Sequence, residues 1–365
     1  MGDATILYAT GTGNSWHAAE AIHRRLAAAG WSVTMRELRV GMEPLRGGFR
    51  GDLLVLSFPT LGFAMPAGLR GLLRGLRAPR RGPRVPAAVF ATWGGDPGAA
   101  LFQARGFLRR RGFRVIAASG AAYPINWTQF LDAPQEPGAR EMTREGDAAA
   151  GRFADGLPAA LPGARLPVSA ALWMPVARLF MAVGAPALGA IYAADGRCTA
   201  CGICARDCPA AAIRMAGKGK GRRPRWNLRC WGCNRCINLC PEAAIQTSPL
   251  RTVVQLTVNC ALIAASAVVC NRLAGWAALP PAVTVPGWIV LFTLLVAVLS
   301  RLQFLALEPL LFLLESAPGL RRLAGRSWTA GFRRYRCEGF RPGARTVEPA
   351  ATAPRPGFSG ATDPR

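Results

Sequence analysis

The sequence predicts a three-part chain: an α/β domain with a doubly wound five-stranded parallel sheet, a small α+β domain organised by cysteine ligands, and a C-terminal helical membrane hairpin. Three observations carry this. Residues 3 to about 157 alternate short apolar runs with helix-like stretches, the pattern of βαβ units around a parallel sheet. Residues 195–248 repeat the spacing C-x2-C-x2-C-x3-C-P. Two later runs lack charge over lengths close to the ~20 residues that cross a hydrocarbon core. The expected units are 1–160 for the sheet domain, 161–194 for an apolar connector, 195–250 for the cysteine domain, 251–316 for the hairpin and 317–365 for a basic, largely disordered tail.

In the sheet domain the apolar runs place strands at Ala4–Ala9, Trp31–Leu38, Asp52–Phe58, Pro86–Thr92 and Phe113–Ser119. Helices are expected near 14–29, 66–77, 97–111 and 142–157. In the connector, Arg178 is the only charge from Leu166 to Ala194. Such a segment lies on a membrane or packs between domains; packing is the expectation, because a span would put the flanking domains on opposite sides of a bilayer. Gly217 to Arg223 separates the two cysteine runs and reads as a solvated hairpin tip. Thr252 to Cys270 holds no charge and is bracketed by Arg251 and Arg272; a second span runs from about Ala282 to Ser300, followed by an apolar run broken at Glu308-Pro309. The tail beyond Gly339 is rich in Pro, Gly and Arg, a composition that favours disorder.

The chain has 365 residues and a net charge of +25, almost all of it arginine, with lysine only at 218 and 220. Such a field attracts nucleic acid, anionic membranes or acidic proteins. The arginines are scattered rather than set in an aromatic-interleaved stripe, so nucleic-acid binding is not expected. Eight of the eleven cysteines fall in the two repeats, which points to metal ligation in a reducing compartment rather than to disulfides. Met1 to Ala9 shows no basic n-region or long apolar h-region, which makes a cytoplasmic start the expectation.

Thiolates at this spacing are the ligands of iron-sulfur clusters. Zinc also takes four cysteines, but its sites present paired C-x2-C knuckles rather than a third cysteine and a C-x3-C-P. Cys260, Cys270 and Cys337 stand outside the repeats and read as ordinary apolar or surface residues.

A second motif, Thr10-Gly11-Thr12-Gly13-Asn14-Ser15, lies between the first strand and the first helix. Small hydroxyl and glycine residues there leave backbone N–H groups free to surround a phosphate at the positive helix end. Trp16 stands where the dinucleotide fingerprint needs glycine, and no G-K-S/T follows, so the loop suits a monophosphate ester. Ligands of open α/β sheets sit beyond the carboxyl ends of the strands. Two loops there hold Thr60-Leu61-Gly62-Phe63 and Thr92-Trp93-Gly94-Gly95, where glycines admit a flat ring and Phe63 or Trp93 can stack on it.

On these residues the first 157 or so resemble a flavodoxin, whose phosphate loop T/S-x-T-G-N-T/S matches Thr10 to Ser15. Residues 195–248 resemble a two-cluster bacterial ferredoxin, and the order resembles flavodoxin-ferredoxin fusion proteins. The resemblance implies that Thr10, Gly11, Thr12, Gly13, Asn14 and Ser15 hold the FMN phosphate. It implies that Thr60, Leu61, Gly62, Phe63, Thr92, Trp93, Gly94 and Gly95 contact the isoalloxazine ring, with Tyr123 to Trp127 as a further ring-side loop. In two-cluster ferredoxins the fourth cysteine of each run ligates the other cluster. The implied 4Fe-4S ligand sets are therefore Cys198, Cys201, Cys204 and Cys240 for the first, and Cys230, Cys233, Cys236 and Cys208 for the second. The hairpin lies outside the fusion pattern.

The expected function is a membrane-anchored electron-transfer protein relaying electrons between FMN and two 4Fe-4S clusters, in the cytoplasmic membrane with its redox domains facing the cytoplasm. Its expected partners are redox proteins or a membrane quinone, and membrane lipid. No catalytic residue stands out, and His17 and His23 read as surface or packing residues. The alternatives are a flavin-dependent oxidoreductase acting on a quinone or porphyrin-like substrate, and a flavin-free iron-sulfur sensor or assembly subunit.

Overall fold

The computed structural model describes residues 2–42, 49–79, 82–157, 172–277, 281–315, 317, 319–320 and 325–342. The N-terminal part runs β1 (Asp3–Tyr8), α1 (Asn14–Ala28), β2 (Ser32–Glu37), β3 (Leu53–Pro59), α2 (Leu69–Leu72), β4 (Pro86–Trp93), α3 (Ala100–Arg110), β5 (Arg114–Ala122) and α4 (Glu136–Asp155). The five strands pair in parallel in the order β2-β1-β3-β4-β5, which is the flavodoxin-like doubly wound order. Central strands of such a sheet are covered on both faces and so read as unbroken apolar runs. In β3, Leu54, Leu56 and Phe58 enter the core shared with α2 and α3. Leu53 and Val55 enter the opposite core with Ile22 and Leu26 of α1 and Ala150 and Ala154 of α4. Two expected helices differ in extent. The first turn of α4 is set by Pro137 and Glu136, so it starts earlier than apolar periodicity indicated, and α2 has only four residues.

From the connector, α5 (Met174–Leu179), a π-helical turn (Phe180–Gly184) and α6 (Ala185–Ala190) lie between the sheet domain and the C-terminal helices. Residues 161–171 of that expected segment fall outside the described residues. The cysteine domain follows: β6 (Tyr192–Ala194), α7 (Ile203–Arg206), β7 (Ile213–Ala216), β8 (Arg223–Trp226), α8 (Arg235–Asn238) and β9 (Ile245–Thr247). β6 pairs with β9 and β7 with β8, both antiparallel. The duplication is visible in the backbone. Left-handed φ angles occur at Ala200, Gly202 and Ala211, and again at their repeat equivalents Gly232, Asn234 and Ala243.

α9 (Pro249–Ala277, 29 residues) and α10 (Pro281–Leu314, 34 residues) form the hairpin. Both are long and apolar enough to cross a membrane, with only 17% and 22% of their apolar windows buried. A soluble core helix would be largely covered. The expected break at Glu308-Pro309 does not occur. Pro309 forfeits one helical hydrogen bond, while the cysteine domain grips this end of α10: Arg225 pairs with Glu308 and Arg223 Nη2 donates to the Phe312 carbonyl, and within the hairpin Arg251 of α9 pairs with Glu315 at 2.6 Å. Between the helices, Gln303 donates to Gln255 at 2.7 Å and Ser300 to Asn259 at 2.9 Å.

The expected disordered tail is corrected over 325–342. There the chain returns to the sheet domain, donating from Trp328 Nε1 to the Gln129 carbonyl and from the Cys337 N–H to the Thr12 carbonyl. Residues 343–365 lie outside the described residues. Apolar side chains interrupt the arginines here, and Tyr335, Cys337 and Phe340 bury themselves beside Trp16.

Candidate functional site

α1 starts directly after Gly13, which takes φ 113° as its N-cap, and its amide donates to Thr10 Oγ1 at 3.1 Å. The loops after β3, β4 and β5 converge on the same edge, as the parallel register requires. Together they enclose a cavity of about 290 Å³ whose wall includes Thr10, Gly11, Thr12, Asn14, Thr60, Leu61, Gly62, Phe63, Thr92, Trp93, Gly94 and Gly95, with Pro124 to Trp127 on one side. Gly13 and Ser15 are not in that wall. Gly13 backs onto the tail, where a Cβ would come within 2.6 Å of Cys337 Cβ. The Ser15 hydroxyl is buried against that of Thr92 at 2.7 Å. One end of the cavity thus carries hydroxyls and a helix N-terminus, and the other carries glycines and apolar side chains. Thr60 Oγ1 is buried and has no hydrogen-bond partner among the described residues.

Four further wall residues come from outside the sheet domain: Phe180 and Leu188 of the connector, and Gly232 and Asn234 of the cysteine domain. Phe180 explains Gly62, because any Cβ there would strike its ring. Phe63 stacks on Trp173 of the connector at 4.5 Å and 8° rather than standing free. Periodicity could not reveal these contacts. Gly11 and Gly62 were the available signal, since each marks a backbone approached closely by another part of the chain.

The eight repeat cysteines divide between two small cavities in the crossed manner. Cys198, Cys201, Cys204 and Cys240 line one, and Cys208, Cys230, Cys233 and Cys236 line the other. Among the described residues no three Cys, His, Asp or Glu side chains converge on a single-ion site. Backbone amides of Ala212, Ala244 and Gly232 donate to the sulfurs of Cys208 and Cys240 at 3.3 Å and of Cys230 at 3.4 Å. Burial pushes the Cys204 thiol up to about 12 and that of Cys233 up to about 11, the latter countered by the nearby Arg235 charge.

Asn234 joins the large cavity to the second cysteine cavity, for it lines both. Its left-handed backbone suits asparagine, and its side chain is fixed by the Asn126 carbonyl at 2.8 Å and the Tyr192 hydroxyl at 2.9 Å. Beside it the phosphate-type loop touches the cysteine loop, since a Cβ on Gly11 would collide with the Cys233 carbonyl. Arg235 locks the two together. Its guanidinium donates to the Gly11 and Thr10 carbonyls at 2.9 and 2.8 Å and pairs with Glu37 at 2.6 Å, both partners almost fully buried. In the first set, Cys201 is exposed.

Residues 197–245 match the 4Fe-4S dicluster domain. The cysteine domain is therefore a 4Fe-4S domain. Among solved structures the chain is similar to a flavodoxin from the domain Archaea, at 16% identity and TM-score 0.28, over 41% of this chain and 98% of that one. A flavodoxin of Megasphaera elsdenii gives 18% identity and TM-score 0.27, over 40% and 98%. A putative quinone reductase of Klebsiella pneumoniae gives 17% and 0.30, over 44% and 87%. The flavodoxin-like fold stands on the strand order and parallel register. No match is found among curated proteins. A flavodoxin-like sheet joined to a 4Fe-4S domain supports an electron-transfer role.

Proposed function

We propose that the large cavity holds FMN, that the two cysteine sets hold one 4Fe-4S cluster each, and that the chain is a membrane-anchored relay between them. The observation that carries this is Asn234, a single residue in the walls of both the large cavity and the second cysteine cavity. FMN supplies exchange of one or two electrons when bound, and clusters exchange one at a time, so the pair joins two-electron to one-electron chemistry. The donor set fits: Thr10, Thr12 and the α1 N-terminus suit the phosphate, Gly94 and Gly95 leave room for a ring, and the unpartnered Thr60 hydroxyl suits a ring heteroatom. Phe180 and Leu188 cover part of the cavity, which favours transfer within the chain over a free organic substrate. The first cluster, with Cys201 at the surface, is the exit to a redox partner.

The hairpin supports membrane anchoring of the relay. Its two soluble ends lie side by side, held by Arg251 and Glu315. Arg222, Arg223, Arg225 and Arg229 lie before α9, with Arg251 in its first turn, and Arg321, Arg322, Arg326, Arg333 and Arg334 follow α10, whereas near the turn between the helices the sequence carries only Arg272, in the last turns of α9. Positive charge favours the cytoplasmic side, which supports a cytoplasmic location for both redox domains. The test is anaerobic purification from membranes with iron, sulfide and flavin quantified. We expect two clusters' worth of iron and sulfide and one FMN per chain; iron and sulfide without a yellow chromophore would contradict the flavin assignment.

A further inference from the structure

The connector has the wrong outer face for a helix in water. Trp173, Met174, Ala177 and Met181 turn inward onto Ala64 and Ala99 of the sheet domain. The outward positions are also apolar: Leu172 is 74% exposed and Val176 46%. A surface helix buries one apolar stripe and shows polar residues opposite, whereas this one shows Leu172, Pro175 and Val176 on its outward side, with Arg178 its one exposed charge among the described residues. It is also continuous with the hairpin, because the π-turn and α6 pack against α10. At ~1.5 Å per residue α10 is about 51 Å long, well beyond a ~30 Å hydrocarbon core. The end of α10 stands beside the connector, since Arg251, which pairs with Glu315 just after α10, also donates to the Ala190 carbonyl of α6.

Charge around this face points the same way. Arg178 is exposed on α5, and Arg70 of α2 and Arg110 of α3 are exposed near it. They are close enough that Arg110 and Arg178 add to burial in lowering the Arg70 pKa. None of the three has a carboxylate partner among the described residues. Three like charges gathered beside an apolar face without counter-ions suit anionic headgroups above an acyl boundary.

Resting on the reading that α9 and α10 span a membrane, we propose that the connector from Leu172 to Val176 lies in the anionic headgroup boundary of that membrane, with Arg70, Arg110 and Arg178 on lipid phosphates. The same segment then brings the large cavity to the lipid surface, because Trp173 beside the exposed residues stacks on Phe63 of the cavity wall. The occupant is the bilayer itself rather than a soluble protein.

The test uses the full chain carrying a photoreactive benzoylphenylalanine, one position at a time, in vesicles of phosphatidylethanolamine and phosphatidylglycerol. The positions are Leu172, Val176, Leu294 in α10 and the exposed Arg144 on α4, which packs with α1 on the opposite face of the sheet. Lipid adducts at Leu172 and Val176 as well as Leu294, with none at Arg144, are expected. Arg178→Glu should lower phosphatidylglycerol adducts at Leu172 several-fold and leave those at Leu294 unchanged. Adducts at Leu294 with none at Leu172 and Val176, or protein-only adducts there, overturn the proposal while leaving the hairpin intact. No adduct at Leu294 overturns the membrane span itself and this inference with it.

Discussion

Gly11 and Gly95 lie in one cavity wall but answer to different constraints. A Cβ on Gly11 would enter the Cys233 carbonyl, whereas one on Gly95 meets nothing within 4 Å. Gly11→Ala should therefore push the phosphate-type loop off the cluster loop, lowering flavin retention and slowing flavin-to-cluster transfer, while Gly95→Ala leaves cluster and fold unchanged. Flavin and iron contents of the two variants, measured side by side, check this; equal flavin loss would contradict it. Arg235 and Glu37 form the buried ion pair across the same junction. Removing one partner strands a buried charge, so Arg235→Met should cost about 3–5 kcal/mol of stability. Arg235→Met with Glu37→Gln should recover much of that, as read by denaturant unfolding of the anaerobic protein. A double variant as unstable as the single one would show that the carbonyl bonds to Gly11 and Thr10, not the charge pair, hold the junction.

The element with the least expected role is the strap at 325–342. It closes over α1 through His17, whose ring faces Asp147 at 3.0 Å and the Glu338 carbonyl at 3.1 Å. Burial lowers the His17 pKa, but the Asp147 hydrogen bond and charge outweigh it, and the net shift is upward. A raised folded pKa means the contribution is complete below the ordinary value of about 6.5 and is lost as pH rises through the folded value. Flavin release should accelerate over that interval, and His17→Gln should flatten the profile; an unchanged profile would remove His17 from the strap's hold. Much of the remaining architecture was legible because its signals are local. Each strand of the sheet has an apolar run, and each cysteine set has its spacing. The strap, Phe180 and Asn234 were not legible, since their partners lie far away in sequence and no periodicity encodes a pairing such as Cys337 with Thr12. Trp16 illustrates the difference: the sequence shows it breaking the dinucleotide fingerprint, while the fold shows it packing against Phe340.

At the scale of the whole molecule, charge pairs join the sheet domain to the 4Fe-4S domain through Arg235 and Glu37 and the 4Fe-4S domain to the hairpin through Arg225 and Glu308, while Arg251 and Glu315 tie the two ends of the hairpin together. The predicted order is flavin cavity, second cluster, first cluster, outside partner, with Asn234 at the first step and Cys201 at the last. That order rests on Cys208 completing the second set although it lies next to the first in sequence. The most direct test is stopped-flow reduction of the anaerobic Cys208→Ala protein, following flavin and cluster absorbance separately. The account predicts damage to the cluster of Cys230, Cys233 and Cys236, retained FMN that still accepts electrons from a chemical reductant, and a large loss of transfer to a one-electron protein partner. Loss of the first cluster alone, or flavin-to-partner transfer at the unmodified rate, would contradict it.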